Sequence, residues 1–193
     1  MKLLAGILLV FSYAVSTPAQ DVVEPRSGTK FAAKDEGMSL LGVALRTRSI
    51  IKVYAIGLYA ADSALSGPLK GKAGTPDLYR ELVDGDFGKK VVMKFLRNLS
   101  ASQIRDAFRE GLKGAGGKTE TWVAYFDDIQ SGKECVIAWK PGVGLETRVA
   151  GNDKPPINDK AFASAVFGIW LGSKPIQENV KKDLLSRAAD LLK

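Results

Sequence analysis

The sequence predicts an α+β domain, an antiparallel sheet covered on one face by helices. Segments rich in aliphatic, β-branched and aromatic residues come as close neighbours, and helical patterns are grouped among them instead of alternating one for one. A doubly wound nucleotide-binding sheet would alternate strictly. At 193 residues and 46% hydrophobic composition the chain suits one domain with a real core.

Residues 1–19 are set aside first. Met1-Lys2 is a basic start, Leu3 to Tyr13 an apolar run, and Thr17-Pro18-Ala19 offers small residues for cleavage near Ala19, the pattern of a signal peptide. The apolar run is well short of the ~20 residues that cross a bilayer. Residues 20–193 are therefore expected to form a single secreted or periplasmic domain, with no integral membrane segment after cleavage.

In the remaining chain Asp21 to Ser27 is an extended lead-in, and Gly28 to Ala33 a short edge strand. Ser39 to Thr47 and Ile50 to Ala61 read as two antiparallel strands. Gly42 and Gly57 within them imply curvature or an opening on the ligand side. Pro76 to Val83 starts a helix behind Thr75, and Gly85 ends it. Lys89 to Arg97 is a strand. Ser100-Ala101-Ser102-Gln103 is a capping box that launches the helix Ala101 to Lys113, with Ile104, Ala107, Phe108 and Leu112 on one face. Trp122, Phe126 and Ile129 recur at helical spacing, so a helix is expected up to Gln130. Glu134 to Lys140 and Leu145 to Ala150 form a hairpin, and Gly151 to Asn158, with Pro155-Pro156, reads as a loop. Two helices close the chain, Asp159 to Leu171 and Pro175 to Leu192.

Composition excludes several chemistries. No histidine is present, which removes Ser-His-Asp and Cys-His catalysis and imidazole-based zinc sites, so no metal and no cofactor are expected. Cys135 is the one cysteine and lies in a strand-like run, where it behaves as a small hydrophobe. The net charge of +7 is interleaved with acids, which fits a solvated surface or an anionic membrane or polymer; nucleic acid is not an expected partner of an exported protein. Gly111 to Thr119 imitates a phosphate loop but has Leu112 where the pattern needs glycine, and it follows a helix. Asn98-Leu99-Ser100 fits the N-glycosylation pattern, although Ser100 already has a role as helix cap.

The most informative stretch is Leu41 to Arg46 followed by Ile50 to Tyr59. Arg46 closes one apolar strand and Tyr54 lies in the next, so a fixed cation and a phenol meet in a hydrophobic layer. That suits an anion with an apolar body. Read as ordinary structure, Arg46 is a strand-end arginine turned to solvent and Tyr54 a sheet aromatic.

The runs LLGVALR, KVYAIGLYAADS and VVMKFL, then AVFGIWLGSKPIQENVKKDLL, resemble the chalcone isomerase family in that order. The opening VVEPRSGTKF resembles the start of its exported members. The resemblance implies an open-faced β-sandwich. It places Arg46 at the family's ligand-polarising arginine and Tyr54 where isomerases usually carry threonine and fatty-acid-binding members tyrosine. Ile104, Gly111 and Ile169 fall where isomerases carry a tyrosine, an asparagine and a serine or threonine. Those replacements remove the hydrogen bonds that would orient a polyphenol and stabilise its enolate. The connection between Arg46 and Tyr54 is also shorter than in plant members.

Three readings follow. The leading one is a non-catalytic binder of a fatty acid or similar amphipathic anion, with Arg46 and Tyr54 at the head group and Ile104, Phe108, Gly111 and Ile169 around it. The second is an isomerase acting on a chalcone or other polyketide-like enone, with Arg46 and Tyr54 as catalytic groups. The third is a ligand-free interaction scaffold, which a closed cleft with Arg46 paired to an acid such as Glu146 would favour.

Overall fold

The computed structural model describes residues 20–193, so the signal-peptide expectation for residues 1–19 lies outside the described residues. The two long strands, β4 (Met38–Arg48) and β5 (Ile51–Ala61), form an antiparallel hairpin across a two-residue turn. Around them lie β1 (Asp21–Val23), β2 (Lys30–Ala32), β3 (Lys34–Asp35), β6 (Lys89–Phe95), β7 (Glu134–Lys140), β8 (Gly144–Val149) and β9 (Asn152–Ile157). β3 to β9 make one seven-stranded sheet in chain order, each strand antiparallel to its neighbour, while β1 and β2 pair separately. Helices α1 (Asp62–Leu65), α2 (Pro76–Asp84), α3 (Ala101–Gly111), α4 (Thr119–Val123), α5 (Lys160–Leu171), α6 (Glu178–Asp183) and α7 (Ala188–Leu191) complete the fold. This is the α+β, open-faced sandwich expected.

Strand alternation divides the sheet into two faces. Tyr54, Ile56 and Leu58 of β5, Val91 and Met93 of β6, and Ile137 and Trp139 of β7 join the main core with α2 to α7. The other face is open apart from the β1–β2 hairpin, whose Phe31 packs with Leu40, Val43, Ala55, Tyr59 and Val92. Glu24 anchors that hairpin: it is buried, yet the Ser27 hydroxyl and N–H donate to it at 2.6 and 2.8 Å. Burial would raise its pKa, but these bonds and those from Arg26 hold it below the usual range.

Ser100 and Gln103 form the full capping box that starts α3, and Asp159 caps α5 by accepting from the Phe162 N–H at 2.9 Å. Three expectations change. The Trp122-Phe126-Ile129 stripe is buried but not one helix: α4 ends at Val123, and Ile129 bridges Leu99. Asp128 instead accepts the Ala101 N–H at 2.7 Å, supporting the start of α3. The stretch read as a Pro-Pro loop is strand β9, tolerated because it is an outer strand where a missing N–H breaks no inner ladder.

The last expected helix is broken into α6 and α7. A register shift in β4 between Leu40 and Gly42 leaves the Leu41 carbonyl to accept from the Arg187 backbone N–H at 2.9 Å, and the Leu40 carbonyl takes the Arg187 side chain at 2.7 Å. Gly42 permits this approach, since a Cβ there would stand 2.5 Å from the Asp183 carbonyl oxygen. Gly57 lies beneath Phe31, 2.8 Å from where its Cβ would be. Neither glycine opens onto a ligand; both are sites of close packing, and the β4 bulge supplies curvature.

Candidate ligand cleft

Arg46 and Tyr54 are direct partners in the β4–β5 register, so the short connection brings them side by side on the helix-covered face. A second irregularity follows between Arg46 and Thr47, where Val53 of β5 is the extra residue. Gln177, at the start of α6, seals it: its side-chain oxygen accepts from Arg46 Nη1 at 2.9 Å and from the Thr47 N–H at 3.2 Å. Arg46 Nη1 also donates to the Thr47 carbonyl. Gln177 was not singled out in the sequence, because a residue 131 positions away meets Arg46 only through the folded α6.

Tyr54 is 8% exposed, and its oxygen accepts from Trp170 Nε1 at 3.0 Å. The acceptor side of the phenol is thereby used while its own proton remains to be donated. Burial pushes the pKa up, against the opposing effects of the Trp170 bond and the Arg46 charge. The group is a neutral donor at physiological pH, not a base.

Arg46 and Tyr54 open onto one cavity of about 150 Å³, whose walls include Val53, Met93, Phe95, Ile104 and Phe108. Phe108 connects this wall to the aromatic core through Trp122, Phe126 and Trp170, with centroids 4.8, 4.7 and 6.3 Å away. Gly111 and Ile169 are placed differently. They face each other outside the cavity lining, where a Cβ on Gly111 would meet Ile169 Cγ1 at 3.2 Å. The space an asparagine side chain would occupy is thus largely filled by isoleucine.

The polar lining contains Arg48, Arg97 and Gln103 in addition to Arg46 and Tyr54. Of the nine arginines in the described residues, Arg26, Arg80, Arg105, Arg109 and Arg148 pair with carboxylates, and Arg187 holds the Leu40 carbonyl. The remaining three, Arg46, Arg48 and Arg97, all line this cavity. No carboxylate or thiol joins them in the lining. Arg48 and Arg97 were missed in the sequence because only the β4–β5–β6 register brings residues 49 positions apart together. Glu146, a candidate partner for Arg46, is on the opposite face, paired to Lys140 at 2.7 Å.

A larger groove of about 440 Å³ lies on the open face. There Lys90 pairs with Asp35 at 2.7 Å, Lys140 with Glu146 at 2.7 Å and Arg148 with Asp153 at 2.6 Å. Those three cations are paired, Lys94 donates to the Lys30 carbonyl at 2.9 Å, and the carboxylates of Asp35, Glu36, Glu134, Glu146 and Asp153 share the lining, so the carboxylate-free smaller cavity is the better place for an anion.

The fold and cleft define the class: the chain belongs to the chalcone isomerase-like family, whose model matches residues 19–186. Chalcone isomerase-like protein 1 of Humulus lupulus is 34% identical over 176 residues, covering 78% of this chain and 82% of that protein. Fatty-acid-binding protein 1 of Arabidopsis thaliana is 25% identical over 206 residues, covering 92% of this chain and 74% of the relative. Among solved structures, that of an Arabidopsis thaliana fatty-acid binding protein superposes with a TM-score of 0.76 at 23% identity, covering 90% of this chain and 99% of that one. The likeness establishes the shared fold. Among the described residues no helix is long and apolar enough to cross a membrane.

Proposed function

We propose that this chain is a non-catalytic binder of a fatty acid or similar amphipathic anion. The observation that carries the reading is the convergence of three arginines without carboxylate partners on one apolar cavity. The carboxylate takes charge-assisted hydrogen bonds from Arg46 and the proton of Tyr54, and the tail lies along Ile104, Phe108 and Met93. At about 150 Å³ the cavity is below the ~300–1,000 Å³ of typical ligand sites, so it accepts the head group and first carbons as it stands. A longer tail requires Ile104 and Phe108 to change rotamer.

Turnover is disfavoured because the lining holds no group that accepts a proton at neutral pH. Titration of the protein with dodecanoic acid, by displacement of a fluorescent acyl probe, is expected to saturate at one site. Arg46→Ala should weaken it about 10- to 100-fold. Absence of saturable binding overturns the reading, and closure of naringenin chalcone faster than its spontaneous rate would replace it with the isomerase.

Export belongs to the same proposal. Protein recovered outside the cytoplasm with Gln20 as its first residue would support it, and full-length protein retained in the cytosol would reject it.

A further inference from the structure

We propose that the tip of the β4–β5 hairpin docks on an anionic membrane surface, placing the cavity mouth against the lipid from which a ligand enters. The tip is the two-residue turn Ser49–Ile50, a position that ordinarily takes asparagine, aspartate or glycine. Here Ile50 is 93% exposed and the adjoining Ile51 48% exposed. The other large exposed hydrophobics among the described residues are Val23, in the β1–β2 hairpin, and Val143, in the β7–β8 turn at the opposite end of the sheet. Only at the hairpin tip are two such residues adjacent.

Cations surround this apolar point. Arg48 and Lys52 flank it in sequence, and Arg97, just beyond β6, reaches the same end of the sheet. All three are exposed. Among the described residues none of them, nor Arg46, forms an ion pair with a carboxylate. Exposed apolar side chains ringed by cations match the two layers of an anionic bilayer surface, acyl boundary and phosphate. A soluble anion would engage the arginines but leave Ile50 in water.

Ile51, Arg48 and Arg97 also line the cavity, so the docking tip and the entrance are one surface. That role in delivery rests on the reading of the cavity as a fatty-acid site.

The test uses the full chain carrying Ile50→Cys labelled with an environment-sensitive fluorophore, the native Cys135 being buried. Vesicles of phosphatidylcholine with about one third phosphatidylglycerol are compared with phosphatidylcholine alone. The probe is expected to shift to the blue and brighten on anionic vesicles, and less so at high salt. It reports the environment of the tip itself, and residues 1–19 are the same in the parent and the double-serine variant, so any affinity of that segment for lipid is common to both. In co-sedimentation, Ile50→Ser with Ile51→Ser should lower partitioning about tenfold, and Arg48→Gln or Arg97→Gln about fivefold each. Unchanged emission on anionic vesicles, or partitioning of the double-serine variant equal to the parent, overturns the proposal. So does dimerisation through the tip with no response to vesicles. Dodecanoate titration of Ile50→Ser without vesicles separates the two readings: binding there with no probe response rejects docking alone, and a probe response without binding rejects the fatty-acid site alone.

Discussion

Two cations point inward from the same face of the sheet, Lys89 on β6 and Arg46 on β4, and they solve burial differently. Lys89 is 2% exposed, and its ammonium donates to the carbonyls of Val83 and Gly85 at 2.9 and 3.0 Å. The Phe87 and Phe167 rings lie 5.2 and 5.0 Å away. It closes the C-terminal end of α2 and lines neither of the cavities described above. Arg46 is only half-buried, held by an amide and a carbonyl, and its planar fork still borders a cavity. Burial alone therefore does not mark a site. What separates them is whether donors remain beside space that a ligand can fill.

The largest separation should come from Lys89→Ala. It leaves two helix-terminal carbonyls without their donor and opens a cavity, so denaturant unfolding should show a loss of about 4 kcal/mol with dodecanoate affinity unchanged. Next is pH. Burial, reinforced by Lys160 and opposed by Asp84, Asp86 and Glu81, pushes the Lys89 pKa down to about 8 from 10.5. Between those values the unfolded chain binds more protons than the folded one, so stability rises with pH. The gain should be about 2 kcal/mol between pH 8 and about pH 10, and absent in Lys89→Met. Tyr54, Tyr59 and Tyr79 act oppositely above pH 10, because their folded pKa values are raised and ionisation then favours unfolding. The smallest effect belongs to Arg46→Ala, expected to change unfolding free energy by less than about 1 kcal/mol. A loss comparable to that of Lys89→Ala would place both cations in the same structural class.

Much of this was legible in sequence where local rules act. The capping box at Ser100, the hairpin pairing Arg46 with Tyr54, and the grouping of strands and helices all rest on neighbouring residues. What was not legible depends on the third dimension. Lys89 lies in a strand run, KKVVMKF, whose alternation turns one lysine inward, but nothing local says that two carbonyls await it. Gln177, Arg48 and Arg97 reach the cleft only through tertiary register. The break between α6 and α7 arises from an unpaired carbonyl at a bulge in a distant strand, and an apolar stripe read on the helix itself carries no trace of it. The resemblance assigns Gly111 and Ile169 to one ligand surface, whereas in the fold each fills space beside the other.

The prolines of β9 have a consequence beyond the fold. A sheet that ends in free ladder groups is a template on which a second chain can grow into an aggregate. Here Pro155 and Pro156 remove two donors from one outer strand, while the far side is a two-residue β3 followed by the Leu40 and Leu41 carbonyls already claimed by Arg187. A sheet can thus leave much of one face to solvent while offering other molecules little free ladder at its borders.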